Sequence, residues 1–227
     1  MSETTTPPKQ PFDIDAALKA VEEAVRPYPK AGLFTLWDEG YQTAFEQLVA
    51  CIISIRTLDE VMLLAARRLL LRARTPAEVV QLTPEAIAAL IHPSSFYEAK
   101  ARQIHVIAQR AVEDHGGALP CDEATLLSFT GVGPKCANLV LSIACGLPRI
   151  GVDIHVHRVV NRWGYVQAST PEATLAALQA KLPAQYHIEL NRWVMPFGKF
   201  ICTGSRPHCS TCPLLEMCPQ IGVTAPR

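Results

Sequence analysis

Four cysteines, Cys202, Cys209, Cys212 and Cys218, fall in the last 26 residues of a 227-residue chain with the spacing C-x6-C-x2-C-x5-C. Thiols gathered this closely point to a metal rather than to disulfides if the compartment is reducing. Zinc modules usually bring two close pairs to one tetrahedral ion, whereas here a single C-x-x-C is flanked by wider gaps. Four thiolates also hold a [4Fe–4S] cube, and the residues alone leave both metals open. The other four cysteines, Cys51, Cys121, Cys136 and Cys145, lie in apolar helical stretches or at their edges. They read as buried thiols.

A second chemical centre lies in Thr130-Gly131-Val132-Gly133-Pro134-Lys135, between a short helix and a longer one in the segment 122–145. Two glycines around one valine let the backbone turn tightly and expose successive N–H groups. Beside a helix N-terminus such groups cradle a phosphate without any net charge, although glycines can also serve only the turn. Lys135 stands in the first helical turn. An amine attacks carbon only when neutral, and the positive end of a helix disfavours its protonated form. A solvated lysine touching phosphate as a point charge is the plainer alternative. Asp153, eighteen residues further on, precedes an apolar-periodic segment ending near Gly164. It sits where an N-cap aspartate is expected, and a carboxylate there stays ionised, which suits a charge stabiliser more than a general acid.

The elements that must position these groups are helices. Thr75-Pro76, Thr83-Pro84 and Thr170-Pro171 each set a capping hydroxyl before a proline at the first helical position, and Glu78 completes a capping box with Thr75. Asp13 starts a helix that Pro27 and Pro29 end near Val25. The segments 43–55, 59–72, 96–115 and 185–200 carry apolar residues at three- and four-residue spacing, with no alternating strand pattern. The fold class is therefore all-α. Residues 1–11, with Pro7, Pro8 and Pro11, read as a disordered tail. With 49% hydrophobic residues the chain is globular, and 21 Lys+Arg against 21 Asp+Glu exclude a globally basic nucleic-acid binder, so any DNA contact must be local and only shallowly salt-dependent. No apolar run is long enough for a membrane span and the first ten residues lack a signal-peptide core, so a soluble cytoplasmic protein with no membrane partner is expected.

The stretch Leu126-Leu127-Ser128-Phe129-Thr130-Gly131-Val132-Gly133-Pro134-Lys135-Cys136-Ala137-Asn138, followed by Val152-Asp153-Ile154-His155-Val156-His157-Arg158-Val159, resembles the helix-hairpin-helix DNA glycosylases of the endonuclease III family. Segments 47–70, 92–109 and 160–162 and the C-terminal cysteines fit in order and spacing, so the resemblance spans roughly 12–223. It implies two lobes: a helical barrel over 37–147 with the hairpin at about 122–145, and a second lobe from 12–36 and 148–227 carrying a [4Fe–4S] cluster on Cys202, Cys209, Cys212 and Cys218. A DNA cleft between the lobes, with Lys135 and Asp153 facing across it, is implied as well. The implied activity is base excision repair by a monomeric, nucleoid-associated glycosylase and AP lyase acting on oxidised pyrimidines or abasic sites in double-stranded DNA. Lys135 would displace the damaged base and form an imine from which the 3′ phosphate leaves, and Asp153 would stabilise the positive sugar. Gly131, Val132 and Gly133 would grip the backbone, and the cysteine loop would present Arg206, with Lys199, to phosphate.

Two positions depart from the family pattern. Arg56 replaces the glutamine that fills the gap left by a flipped nucleotide, and Arg can pair with an orphaned base or with phosphate. Phe96 stands where the family often has a leucine wedge; an aromatic can stack in the gap, and Phe96 with Tyr97 can equally anchor a helix start. Arg158 and Arg162, four apart, are candidates for phosphate or for solvent. Two rival readings remain: a monofunctional mismatch glycosylase, which typically lacks the lysine and has a further C-terminal domain, and a non-catalytic DNA-binding or redox protein. This sequence has Lys135 and runs nine residues past Cys218.

Overall fold

Capping chemistry sets the helix starts. In the computed structural model, which describes residues 9–227, Thr75 and Thr43 each form a full capping box, with Glu78 and Glu46. Thr83, Asp122 and Thr170 accept from the first free N–H groups of their helices. The described residues form α1 (Ile14–Val25), α2 (Gly32–Asp38), α3 (Ala44–Ser54), α4 (Asp59–Arg72), α5 (Pro76–Val79), α6 (Pro84–Ile91), α7 (Tyr97–His115), α8 (Glu123–Leu127), α9 (Pro134–Ile143), α10 (Ile154–Arg162), α11 (Pro171–Lys181) and α12 (Glu189–Phe200), with no strand among them. The all-α expectation holds.

The chain divides into two compact units, one over 31–151 and one formed by the N-terminal segment to residue 30 with 152–227. In the first, α3 is the central element: every residue from 44 to 53 is buried, and α2, α4, α7 and α9 pack around it. Helix α2, through which the sequence reading drew its lobe boundary at 36/37, lies in this unit, where the buried Gln47 donates to the carbonyls of Leu33 (3.3 Å) and Tyr41 (2.7 Å). In the second unit, α12 packs on α1 and α10, and Phe12, Trp163 and Phe197 form an aromatic core.

Two sequence expectations need correction. Cys51, Cys121, Cys136 and Cys145 are not free thiols. Cys51 of α3 is bonded to Cys136 of α9, and Cys121, before α8, to Cys145, after α9. Packing of α3 on α9 brings the first Cα pair to 6.1 Å, and closure of the hairpin brings the second to 5.9 Å, both within bonding range. The expected tail lies mostly outside the described residues, but Lys9 and Gln10 are fastened: Lys9 donates to the Cys218 carbonyl, and the Gln10 N–H donates to the Glu216 carbonyl at 3.0 Å. No helix is long and apolar enough to cross a membrane among the described residues.

Candidate active site and cysteine loop

The hairpin runs from α8 through residues 128–133 into α9. Gly131 has φ of +81°, a left-handed conformation that favours glycine, and an added Cβ would meet Gln103 Nε2 at 2.8 Å. Gln103, on α7, donates to the Thr130 carbonyl and fixes that turn. The sequence reading had successive N–H groups exposed here, but the Val132 side chain is buried and its N–H is spent on the Phe129 carbonyl at 3.1 Å. Gly133 is the extended N-cap, with open space where a Cβ would sit. No side chain caps α9. Its first N–H groups therefore have no side-chain partner at the positive end of the helix, where negative charge is favoured. Lys135, in that first turn, is exposed and makes no hydrogen bond or ion pair with the described residues.

Arg56 and Phe96, forty positions apart, are brought together. The Arg56 guanidinium carbon lies 5.8 Å from the centroid of the Phe96 ring, within cation–π range. Phe96 is 62% exposed and stands at the N-cap position of α7, while Tyr97 packs edge-on against His92. Both Arg56 (φ +54°) and Phe96 (φ +58°) are left-handed. That conformation costs roughly 1–2 kcal/mol per non-glycine residue and persists only where the surroundings over-determine it.

Lys100 does much of this, and sequence reasoning missed it. Its side chain is buried, and Nζ donates to the carbonyls of Ile53 and Ile55, both at 2.7 Å, and to Thr57 Oγ1 at 3.0 Å. Ser95 adds two bonds, from its N–H to Thr57 Oγ1 (3.1 Å) and from its hydroxyl to the Arg56 carbonyl (2.7 Å). Burial lowers the Lys100 pKa to about 8, which leaves the ammonium charged at neutral pH. A signal was present: Lys100 falls in register with the buried Ile104, Ile107 and Ala111 of α7, an unusual place for a charge. Phe96, Lys100, Gln103 and Arg110 recur along one side of the same helix. The last donates to Ser128 Oγ at 3.2 Å and covers the Phe129 ring.

In the other unit, Asp153 caps α10 as expected. Its Oδ1 accepts from the N–H groups of His155 (2.9 Å) and Val156 (2.8 Å), and Oδ2 has a longer contact of 3.5 Å from Asn191. One oxygen is structural and the other is little used. His157 is held by Thr174 Oγ1 at 2.7 Å and His155 faces Arg158, so both histidines pack rather than project.

Arg158 and Arg162 are half-buried and aim their guanidiniums at backbone carbonyls. Arg158 donates to the carbonyls of Gly198 (2.8 Å) and Cys202 (3.2 Å), and Arg162 to those of Thr203 (2.6 Å) and Gly204 (2.8 Å). The two guanidiniums organise the cysteine loop, a role that their i, i+4 spacing could not distinguish from a phosphate contact. Cys202, Cys209, Cys212 and Cys218 are free and line one cavity with Trp163, Phe197 and Arg162. Burial pushes the thiols of Cys202, Cys212 and Cys218 up, Cys212 to about 11, while Arg162 and Arg158 pull Cys202 the other way. Arg162 lies 3.5 Å from the Cys202 sulfur. Among the described residues no group of three or more His, Cys, Asp or Glu is arranged to hold a single metal ion. Arg206 stands exposed on this loop with φ of +47°.

Comparison with known proteins agrees with these elements. The chain is 38% identical to endonuclease III of Thermotoga maritima over 77% of its length and 82% of the relative's. It is 32% identical to endonuclease III of Escherichia coli K12 over 78% and 84%. A solved structure of a trapped endonuclease III–DNA covalent intermediate, an estranged-adenine complex, superposes with a TM-score of 0.79 at 28% identity, covering 91% of this chain and 94% of that one. Residues 49–184, which contain the hairpin, Lys135 and Asp153, match one family model, and the chain belongs to the HhH-GPD superfamily of base excision DNA repair proteins.

Proposed function

We propose that this protein is a bifunctional DNA glycosylase and AP lyase that removes oxidised pyrimidines from duplex DNA and nicks 3′ to the abasic site. The carrying observation is Lys135, an exposed amine in the first turn of a helix whose leading N–H groups are uncapped. The relatives named endonuclease III and the trapped covalent complex of one such enzyme support the reading.

The neutral Lys135 amine attacks C1′, and the bond to the base breaks with its electron pair leaving on the base. Opening of the sugar ring turns the adduct into a protonated imine, an electron sink. Loss of a C2′ proton then expels the 3′ phosphate, and water releases the enzyme. Asp153 holds its negative charge for the cationic sugar, the hairpin N–H groups and the start of α9 grip the backbone, and Arg56 with Phe96 fills the space left by the flipped nucleotide. Duplexes carrying one oxidised pyrimidine should be cut to a β-elimination product while undamaged duplexes stay intact. Base release without nicking, or no cleavage of any lesion or abasic duplex, would contradict the assignment.

We assign a [4Fe–4S] cluster to Cys202, Cys209, Cys212 and Cys218. The donor set fits: four free thiols on one cavity, with guanidiniums beside them to offset thiolate charge. Bound there, the cluster cross-links the segment and stiffens the loop that presents Arg206 to phosphate. Purified protein should be brown, absorb near ~400 nm and contain about four irons. After acid release of the iron, four thiols should react without reductant and eight after reduction. A colourless protein with one zinc would refute the cluster, and eight reactive thiols before reduction would refute the two disulfides.

A further inference from the structure

The two disulfides fasten the hairpin in different ways. Cys136, in the first turn of α9, is bonded to Cys51 of α3, and both residues are buried. Cys121 stands just before the Asp122 cap of α8 and Cys145 just after the end of α9, so their bond closes the hairpin at its base, with the turn at 128–133 at the other end. Cys121 is exposed and Cys145 half-buried, within reach of a thiol from solution.

The two helices need that closure unequally. Helix α9 buries every residue from 136 to 143. Helix α8 has five residues, of which only Leu126 is buried, and a helix that short depends on tertiary contacts. Its remaining ties are Phe129, covered by Arg110, and an Arg149–Glu123 ion pair at 2.8 Å between half-exposed side chains, a weak kind of contact. A bond across 24 residues therefore removes much of the freedom that α8 would gain by opening. Elsewhere in the chain four free thiols share one cavity, which suits a reducing environment. There a solvent-open disulfide is exchanged while a buried one is spared.

We propose that Cys121–Cys145 is a site of reversible thiol–disulfide modification that sets how firmly the hairpin grips DNA, a regulation that rests on the glycosylase reading above. Its partner is a dithiol–disulfide couple. A thiolate of the couple attacks the Cys121 sulfur, and the S–S bond breaks with its electron pair leaving on Cys145, which takes a proton. The couple's second thiol then displaces Cys121, so the couple ends as its disulfide and the protein as two thiols; closure is the reverse. Oxidising conditions that damage pyrimidines also push such couples toward the disulfide, so the hairpin is tightest when its substrate is most abundant.

The test equilibrates the full, iron-loaded chain with dithiothreitol and its oxidised form in varied ratio, blocks thiols with an alkylating reagent and locates the label by peptide mapping. Label should reach Cys121 and Cys145 at ratios that leave Cys51 and Cys136 unlabelled, and should vanish when the oxidised reagent is restored before blocking. Opening the bond should speed amide hydrogen exchange across 122–133 and weaken binding to a duplex with a stable abasic analogue, each roughly tenfold, and reclosure should reverse both. A double variant, Cys121→Ser with Cys145→Ser, should bind like the reduced wild type and ignore the ratio. If it fails to fold, the wild-type series still decides. Labelling of all four cysteines together, equal affinity of the open and closed forms, or a double variant that binds like the closed form would overturn the proposal while leaving the glycosylase standing. No cleavage of an abasic duplex by the closed form would instead overturn the glycosylase reading.

Discussion

Asp153→Asn is expected to slow base release by roughly 10²- to 10⁴-fold while the protein stays folded and still binds duplex DNA. The reasoning lies in the division of labour between the two carboxylate oxygens. Oδ1 accepts from two backbone N–H groups at 2.9 and 2.8 Å and starts α10; Oδ2 has only the 3.5 Å contact from Asn191. An asparagine keeps a carbonyl oxygen for the cap and loses only the charge. Asp153→Ala loses both, and the missing cap should cost about 1 kcal/mol of stability. The two variants together separate capping from charge: equal rate losses with an intact Asn fold indicate electrostatic work on the sugar. Full activity in the Asn variant would reduce Asp153 to a cap.

Lys135→Gln should lower base release and strand nicking together, by about 10³-fold or more, because a single amine performs both steps. The side chain is exposed and makes no hydrogen bond or ion pair with the described residues, so stability should change by no more than about 0.5 kcal/mol. Binding to an abasic duplex should persist through the hairpin N–H groups. Gel-shift titration beside single-turnover cleavage checks both halves. If nicking survived while base release fell, a different amine would be opening the abasic site.

Much of this molecule is legible in its sequence because its signals are local. Thr75, Thr83 and Thr170 announce their helices with a hydroxyl before a proline, and each does cap. Asp153 is a cap on the same grounds, and Gly131 marks a left-handed turn. What escaped reading depends on contacts between distant segments. Lys100 stands in register with the buried face of α7, but what holds its charge there is seen only when the end of α3 and the turn after it deliver the carbonyls of Ile53 and Ile55. Arg158 and Arg162 have a spacing that suits phosphate, but their partners are carbonyls some forty residues away. Cys51 and Cys136 are separated by 85 residues, and only the packing of α3 on α9 pairs them. Gly133 shows the limit of motif reasoning in the other direction, since its backbone is extended and a Cβ there would meet open space.

In the proposed reaction Lys135 supplies the nitrogen of a covalent link to DNA. Incubation with an abasic or oxidised-pyrimidine duplex in the presence of borohydride reduces the imine to a stable secondary amine, and peptide mapping of the cross-linked protein locates it. The predicted result is a sugar remnant on the peptide containing Lys135, absent in Lys135→Gln. Cross-linking at another residue, or equal yields from wild type and Lys135→Gln, would contradict the account.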